Sequence, residues 1–246
     1  MTAPVTPIVL LHGWGFTPAI WAPLITALEA HGIRSERIQA PPLPLREGAT
    51  LAQTINTLAT QLPPCAHIIG WSLGGELAQA LAQTAPERVA SLTLISSTPC
   101  FMQRTGWSSG QPASLLDDFD QRLAANPMAL LKRFALLIRH GDESASRDRN
   151  LTDTLMQAND TDPARLGAGL TLLRHIDLRT TTSPMKMPCL VIHGTHDAVV
   201  PLAAAEWLQH RMGATLQPIG GASHALPLTH GAVLANRIIA MTEALL

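Results

Sequence analysis

HIIGWSLGGELAQALA, residues 67–82, contains the pattern G-x-S-x-G between a short apolar run and a helical pattern. A serine on a tight turn between a buried strand and a helix has strained backbone angles, and its hydroxyl stands clear above the sheet. We expect glycine at positions 70 and 74 because a Cβ there would collide with the neighbouring strand or helix. The segment therefore predicts an α/β fold with Ser72 as a nucleophile. The alternative is an ordinary serine N-cap in a tight turn.

Apolar runs and helical patterns alternate on both sides of this segment. Four short apolar runs end at Gly or Ser, at residues 7–13, 67–72, 91–97 and 189–194. Such runs are typical of strands buried on both faces of a parallel sheet, and weaker strands are expected at 37–40 and 214–218. Helices are expected at 18–31, 50–61, 72–85, 201–212 and 229–246. The alternation predicts a mostly parallel central sheet with helices on both faces.

One long stretch, residues 101–186, breaks this alternation because it contains no convincing strand. Its helical patterns span 113–125, 127–139, 147–159 and 163–176. An all-helical block between two buried strands indicates a lid inserted into the fold. We therefore expect a core formed by residues 1–100 and 187–246, with 101–186 as the lid.

Two loops that follow Ser72 in the chain offer the acid and the base that a serine nucleophile needs. Asp197 follows the apolar run 189–194, and His224 lies in GGASHALPLTH, 220–230, before the last helical pattern. This chain order, acid and then histidine, is the one expected after a G-x-S-x-G turn. A serine hydroxyl attacks poorly at neutral pH until an imidazole accepts its proton, and a carboxylate orients that imidazole.

Other acids and histidines compete for these roles. Asp142 and Asp177 lie in the lid, and neither follows a strand, so we expect them to be solvated charges or caps. His193 and His196, in the pattern H-x-x-H-D, invite a metal site, but no further cluster of ligands supports one. We therefore expect a site without a metal or a cofactor, and a structural role is open to either histidine.

The loop after the first strand, LLHGWG at 10–15, should cross beside the nucleophile. We expect the backbone N–H groups of Trp14 and Leu73 to bind the developing oxyanion. His12 is expected to organise the loop through hydrogen bonds. Trp14 and Trp71 are either walls of an acyl pocket or ordinary core residues.

The bulk composition excludes several classes of protein. A net charge of -1 with 14% charged residues gives no sign of a nucleic-acid partner. No apolar run reaches the ~18 residues that a membrane span needs, and the first residues lack the basic start of a signal peptide. We therefore expect a cytoplasmic monomer with no membrane association.

Five short motifs then occur in order over nearly the whole chain: HGWG, GWSLGG, APERV, GTHD and GASH. Their order resembles that of the α/β-hydrolases. More closely, the chain is similar to the pimeloyl-[acyl-carrier protein] methyl ester esterase family of biotin synthesis. That resemblance rests on VLLHGWG (9–15), GWSLGGELA (70–78), PERVASLTLISSTPCF (86–101) and an RF pair followed by an apolar run in the lid (133–138).

The resemblance implies a serine carboxylesterase that removes the methyl ester from a pimeloyl chain carried on acyl carrier protein. By position, Ser72, Asp197 and His224 match the family's triad, while Trp14 and Leu73 match its oxyanion residues. One segment departs from the family pattern: QAPPLPLREG (39–48) replaces the usual D-x-x-G-x-G-x-S and reshapes a loop at the rim of the site.

A carrier-protein partner calls for a basic surface, because acyl carrier proteins are acidic. Residues 121–141 contain four Lys or Arg and no acid. On a helix through 127–139, an apolar half with Met128 and Phe134 would line a pocket for an aliphatic chain. The opposite half, with Arg133 and Arg139 beside Lys132, would face the carrier. An ordinary solvated lid face is the alternative.

Three functions stay open at this point. The first is a carboxylesterase for the carrier-bound methyl ester. The second keeps the triad but acts on small-molecule esters, lipids or lactones. The third is a ligand-binding receptor on a hydrolase scaffold, which can retain a complete triad, because a fold does not fix a function.

Overall fold

The computed structural model of the protein describes residues 6–142 and 151–243. Six strands form one sheet in the order β2-β1-β3-β4-β5-β6, and every neighbouring pair is parallel. The strands are β1 Ile8–Leu11, β2 Ile38–Gln39, β3 Ala66–Trp71, β4 Val89–Ile95, β5 Cys189–Gly194 and β6 Thr215–Ile219. All four predicted strong strands and both weaker ones are therefore present. The sheet confirms the predicted α/β class.

The central strands are apolar on both faces because helices cover both faces of the sheet. Every residue of β1 and of β3 is buried, whereas the edge strand β6 has one buried residue in five. Continuous apolar runs are typical of parallel strands in this position, and alternation is not required of them. Because the central strands are buried on both faces, their sequences are continuous apolar runs that predict strands. The edge strands are more exposed, so their apolar runs are weaker.

The core helices lie close to the predicted positions. They are α1 Ala22–Ala30, α2 Leu51–Gln61, α3 Leu73–Thr84, α8 Leu202–Met212, α9 Leu226–Thr229 and α10 Gly231–Glu243. Thr50 and Gln53 form a reciprocal capping box that begins α2. None of the helices within the described residues is both long enough and apolar enough to cross a membrane.

Two predicted core helices begin differently from their sequence patterns. The pattern 18–31 forms a 3₁₀ turn at Pro18–Trp21 and then α1, which has Pro23 in its first turn, where a missing N–H is tolerated. The pattern 229–246 begins later, at Gly231. A Cβ on Gly231 would lie 2.7 Å from the backbone carbonyl carbon of Pro23, so the glycine allows α10 to pack closely on the start of α1.

Four lid helices lie between β4 and β5. They are α4 Ala113–Ala125, α5 Pro127–Ile138, α6 Leu151–Gln157 and α7 Pro163–His175. Three of them match the predicted patterns to within one residue. Helix α6 ends two residues before the predicted end at 159, and the predicted residues 147–150 lie outside the described part. Asn126 and Asp162 cap α5 and α7 by accepting hydrogen bonds from Ala129 N and Ala164 N.

The lid is joined to the core loop that follows β1. The backbone N–H of Asp160 donates to Gly15 O at 3.0 Å, and that of Thr17 donates to Ala158 O at 2.8 Å. These bonds hold the segment between α6 and α7 against residues 15–17. We propose on this basis that residues 101–186 act as a lid on the core of 1–100 and 187–246.

One carboxyl group lies in the interior of the core, on the first turn of α3. The Glu76 side chain is completely buried, and neither of its oxygens has a hydrogen-bond partner among the described residues. Burial raises the pKa of Glu76 well above its usual value, and the backbone of Phe101 offsets this only in part. The folded protein therefore holds the neutral acid to higher pH than the unfolded chain does.

We expect the unfolding free energy of Glu76→Gln to exceed that of the wild type by a margin that grows as the pH rises. A raised folded-state pKa contributes stability that is present below the unfolded-state pKa and is lost as pH rises towards the folded-state value. Each pH unit in that window costs the wild type up to about 1.4 kcal/mol of unfolding free energy. Urea unfolding at pH 5 and pH 8 measures the difference. Exposed Glu87→Gln is the matched control, and equal pH slopes for wild type and Glu76→Gln would contradict this account.

Candidate active site

Ser72 occupies a strained turn between β3 and α3. Its φ of 54° and ψ of −122° lie in a region that residues with a Cβ rarely adopt. Four hydrogen bonds hold the turn. Ser72 N donates to Ile95 O (3.0 Å), and Ser72 O accepts from Gly75 N (2.9 Å), Glu76 N (3.2 Å) and Ser97 Oγ (3.0 Å). Such strain costs about 1–3 kcal/mol and persists only where the surroundings enforce it.

The glycines that flank Ser72 are required by close backbone contacts. A Cβ on Gly70 would lie 2.5 Å from the carbonyl oxygen of Gly74, in the helix that follows. A Cβ on Gly74 would overlap the carbonyl oxygen of Leu11, at the end of β1. The collisions predicted from sequence are therefore present, with the helix in the first case and with the neighbouring strand in the second.

His224 and Asp197 form a buried pair at the ends of two different loops. His224 Nδ1 donates to Asp197 Oδ2 at 2.7 Å, and both side chains are at most 1% exposed. The other carboxylate oxygen accepts from Val199 N at 2.9 Å and Val200 N at 2.8 Å. Burial alone would raise the pKa of Asp197, but the facing His224 and these N–H groups hold it below its usual value. Asp197 is thus kept as a carboxylate that fixes the imidazole tautomer.

The imidazole lies against the residue that precedes the nucleophile. Trp71 Nε1 donates to His224 O at 2.9 Å, and the Trp71 and His224 rings are 5.5 Å apart. Since His224 Nδ1 carries a proton, Nε2 is the acceptor. It is buried and has no hydrogen-bond partner among the described residues, Ser72 Oγ included. In sites without substrate, catalytic hydrogen bonds are often long or poorly aligned and form only when substrate binds.

A second histidine, one of the two that the sequence offered as structural, lies beside the acid. His193 Nε2 is 2.8 Å from Val200 O and 3.5 Å from Asp197 Oδ2, and its side chain is fully buried. A carbonyl only accepts, so Nε2 carries the proton. Burial lowers the pKa of His193 below its usual value and favours the neutral ring. His193 therefore supports the Asp197 loop, as a structural histidine.

The two expected oxyanion donors belong to the loop after β1 and to the first residue of α3. Neither the backbone N–H of Trp14 nor that of Leu73 donates to any described residue. The Trp14 side chain is fixed from the lid, because its indole N–H donates to Leu166 O of α7 at 2.8 Å. Both N–H groups are thus available to a developing negative charge at this edge of the sheet.

Trp14 also belongs to an apolar cluster of aromatic rings next to Ser72. The members, with ring centroids 4.9 to 6.1 Å apart, are Trp14, Phe16, Trp71, Phe119 and Phe134. All five are buried. Trp14 and Trp71 therefore pack in the core between lid and sheet.

His12 organises the rim of the site, as the sequence predicts. Its Nδ1 donates to Gly13 O at 2.9 Å, and its Nε2 accepts from Leu43 N at 3.2 Å. Burial lowers the pKa of His12, which favours this neutral form. Leu43 belongs to the divergent segment 39–48. That segment forms one side of a cavity of about 340 Å³ whose other side includes Asp160 and Arg165.

The residues singled out on the lid helix α5 differ in their exposure to solvent. Phe134 is buried and Arg133 is exposed, as its apolar and basic halves require. Arg139 is partly buried, and its guanidinium donates to Thr152 Oγ1 of α6. Met128 was expected on the apolar half, but it is 50% exposed, so that expectation is wrong. It lies in the first turn of the helix, before the helix reaches the aromatic cluster.

The two other acids considered for the triad lie elsewhere. Asp177 pairs with Arg179 at 2.7 Å at the base of the lid. Asp142 was expected to be a solvated charge or a cap, and this is wrong: it is 5% exposed and accepts from Ser223 Oγ and Ser223 N. No pattern in the sequence signals this contact, because it joins residues 81 positions apart. Within residues 6–142 and 151–243, no group of His, Cys, Asp or Glu is arranged to hold a metal ion.

Comparison with known proteins places this geometry in context. The model of the alpha/beta hydrolase family matches residues 8–237. The chain is 39% identical to the pimeloyl-[acyl-carrier protein] methyl ester esterase of Aromatoleum aromaticum, with 91% of this chain and 92% of that protein covered. It is 37% identical to the protein of the same name from Aeromonas salmonicida, with 91% and 90% covered. The enol-lactonase of Burkholderia xenovorans has a similar fold, with a TM-score of 0.82, 20% identity, and 99% and 94% coverage.

Asp197→Asn tests the acid against a matched lid acid. An amide cannot fix the imidazole tautomer in the same way, so we expect kcat for ester hydrolysis to fall about 10³–10⁴-fold while the fold is retained. Asp177→Asn should leave kcat within about twofold. Steady-state hydrolysis of a free short-chain ester, with circular dichroism as a check of folding, makes the comparison. Equal kcat values for the two variants would exclude Asp197 as the orienting acid.

Proposed function

The chain belongs to the alpha/beta hydrolase family, and from that premise we propose that it is a serine carboxylesterase. Its substrate is the methyl ester of pimeloyl-[acyl-carrier protein], and its product is the free pimeloyl carboxylate used in biotin synthesis. The observation that carries this proposal is the 31–39% identity to proteins of that name, over at least 83% of this chain. The buried His224–Asp197 pair beside the Ser72 turn supports the chemistry.

The first half of the reaction forms an acyl-enzyme. Ser72 Oγ attacks the carbonyl carbon of the methyl ester while His224 Nε2 accepts the hydroxyl proton. The negative charge that develops on the carbonyl oxygen is bound by the N–H groups of Trp14 and Leu73. The bond between the acyl carbon and the methoxy oxygen then breaks. The methoxy oxygen takes the proton from His224 and leaves as methanol.

The second half releases the product. A water molecule attacks the Ser72 ester and gives one proton to His224 Nε2, and the same two N–H groups bind the second oxyanion. Collapse breaks the bond to Ser72 Oγ, which regains its proton from His224. Asp197 stabilises the imidazolium in both halves because its carboxylate is buried against Nδ1 at 2.7 Å.

The aromatic cluster suits the chain of such a substrate. A pimeloyl chain is a run of methylene groups, and Trp14, Trp71 and Phe134 offer apolar surface beside the nucleophile. Since these rings are closely packed between α5 and the loop that follows β1, a chain that lies among them requires some movement of these side chains. A Cβ on Gly15 of that loop would lie 3.4 Å from Leu131 of α5, which shows how closely the two elements pack.

The outer surface of the lid supports docking of an acidic carrier. Lys132 and Arg133 are exposed on α5. Arg133 is 4.0 Å from Asp118, which is already paired with Arg122 at 2.7 Å. Arg139 takes a smaller part, since it is bonded to Thr152 within the lid. We therefore centre the carrier-docking surface on Lys132 and Arg133.

The substrate is tested by following methyl loss from pimeloyl methyl ester, either linked to acyl carrier protein or free. We expect the wild type to prefer the linked ester and Ser72→Ala to lose nearly all activity while it stays folded. If the wild type hydrolyses both esters equally well, the enzyme is a general esterase and the carrier proposal fails. If the folded wild type shows no turnover of either ester, a binding protein on a hydrolase scaffold is the remaining function.

The docking surface is tested by charge reversal at two matched arginines. Arg133 and Arg34 have side chains that are 60% and 68% exposed, and each has one acidic neighbour within 4.0 Å. We expect Arg133→Glu to raise KM for the linked ester about three- to tenfold at low salt, with the free ester unaffected. Arg34→Glu should change neither. A similar rise in KM in both variants would mean that overall charge, and not the α5 surface, attracts the carrier.

A further inference from the structure

The C-terminal end of α5 is bonded to the loop that carries His224. Ala225 N donates to Ile138 O at 3.1 Å, so one of the last carbonyls of the helix is used by the residue after His224. Asp142 Oδ2 accepts from Ser223 N at 3.2 Å and from Ser223 Oγ at 3.1 Å. The residues on both sides of His224 are therefore held by one short segment of the lid.

The same segment also reaches the loop of the acid. His196 Nδ1 donates to Gly141 O at 3.0 Å, and His196 immediately precedes Asp197. Residues 138–142 thus contact the neighbours of both His224 and Asp197, which come from separate loops after β6 and β5. Ser223 is completely buried and Asp142 is 5% exposed, so water does not readily replace these bonds.

We propose that residues 138–142 form a clamp on the two loops, with Asp142 as a positioning residue for His224. This inference rests on the proposed function, since it assigns Asp142 a role in placing the catalytic base. Asp142 touches neither the imidazole nor the reacting atoms. It acts through Ser223, by fixing the backbone from which His224 projects towards Ser72.

The remaining restraints on His224 explain why the clamp affects catalysis more than folding. Asp197 bonds Nδ1 and Trp71 bonds the backbone oxygen, so the ring stays near its place without Asp142. What changes is the exact position of Nε2, which has no partner of its own among the described residues. A displacement of about 1 Å between reacting groups lowers a rate by about 10²-fold.

Asp142→Ala and Asp142→Asn test the clamp on a free short-chain ester, for which carrier docking plays no part. We expect Asp142→Ala to lower kcat about 10- to 100-fold with KM within about twofold of wild type. The amide oxygen of Asp142→Asn still accepts from Ser223 N, so kcat should recover to within about fivefold. Asp153→Ala, which removes an exposed acid from α6, is the control and should behave as wild type.

A spectroscopic measurement separates positioning from simple support of the fold. The His224 Nδ1 proton, shared with Asp197, should give a downfield proton resonance that shifts or broadens in Asp142→Ala and stays in place in Asp153→Ala. An unchanged kcat and an unchanged resonance in folded Asp142→Ala would overturn the clamp. If Asp142→Ala does not fold, a wild-type kcat for Asp142→Asn together with loss of Ser223 protection from hydrogen exchange would overturn it. Absence of ester turnover by wild type would instead contradict the proposed function.

Discussion

The rest of the site depends on Ser72, which is held between β3 and α3 at φ 54°, a value that is unfavourable for any residue with a Cβ. The turn requires close contact of α3 with β1, and Gly74 permits it. That contact brings the loop after β1, with Trp14, beside the first turn of α3, with Leu73. It also directs Ser72 towards the edge where the loops after β5 and β6 supply Asp197 and His224. The strained turn thus positions both the proposed nucleophile and the N–H groups proposed to bind its oxyanion.

The lid also holds residues of this site in place through hydrogen bonds. Leu166 O of α7 accepts from the Trp14 indole, and Asp142 after α5 accepts from Ser223 next to the base. The proposed oxyanion loop and the loop that carries the proposed base are therefore both hydrogen-bonded to the lid. Helix α5 also carries Lys132 and Arg133 on its outer surface. A carrier that docks on α5 would therefore contact the same helix whose last residue, Ile138, is hydrogen-bonded to the loop of His224.

The sequence predicted the strands, the lid helices and the loops of the triad because their signals are local. Buried parallel strands are continuous apolar runs, and the Ser72 turn has its own glycine pattern. His193 beside Asp197, Asp142 beside Ser223 and Arg139 on Thr152 were not predicted. The contacts of Asp142 and Arg139 depend on which segments meet in three dimensions, and no local pattern records that. His193 and Asp197 are only four residues apart, and their contact depends on the conformation of the chain where β5 ends. Met128 was placed wrongly for a related reason, since helical periodicity does not say where the buried surface of a helix ends.

Labelling with a fluorophosphonate tests most directly whether Ser72 is a nucleophile activated by His224. Between Arg46 and Arg88, Ser72 is the only serine, so a tryptic peptide of this region locates the adduct by mass. We expect one adduct, on that peptide, and labelling that is more than about 100-fold slower in folded His224→Ala. An adduct on another peptide, or equally fast labelling of His224→Ala, would contradict this expectation.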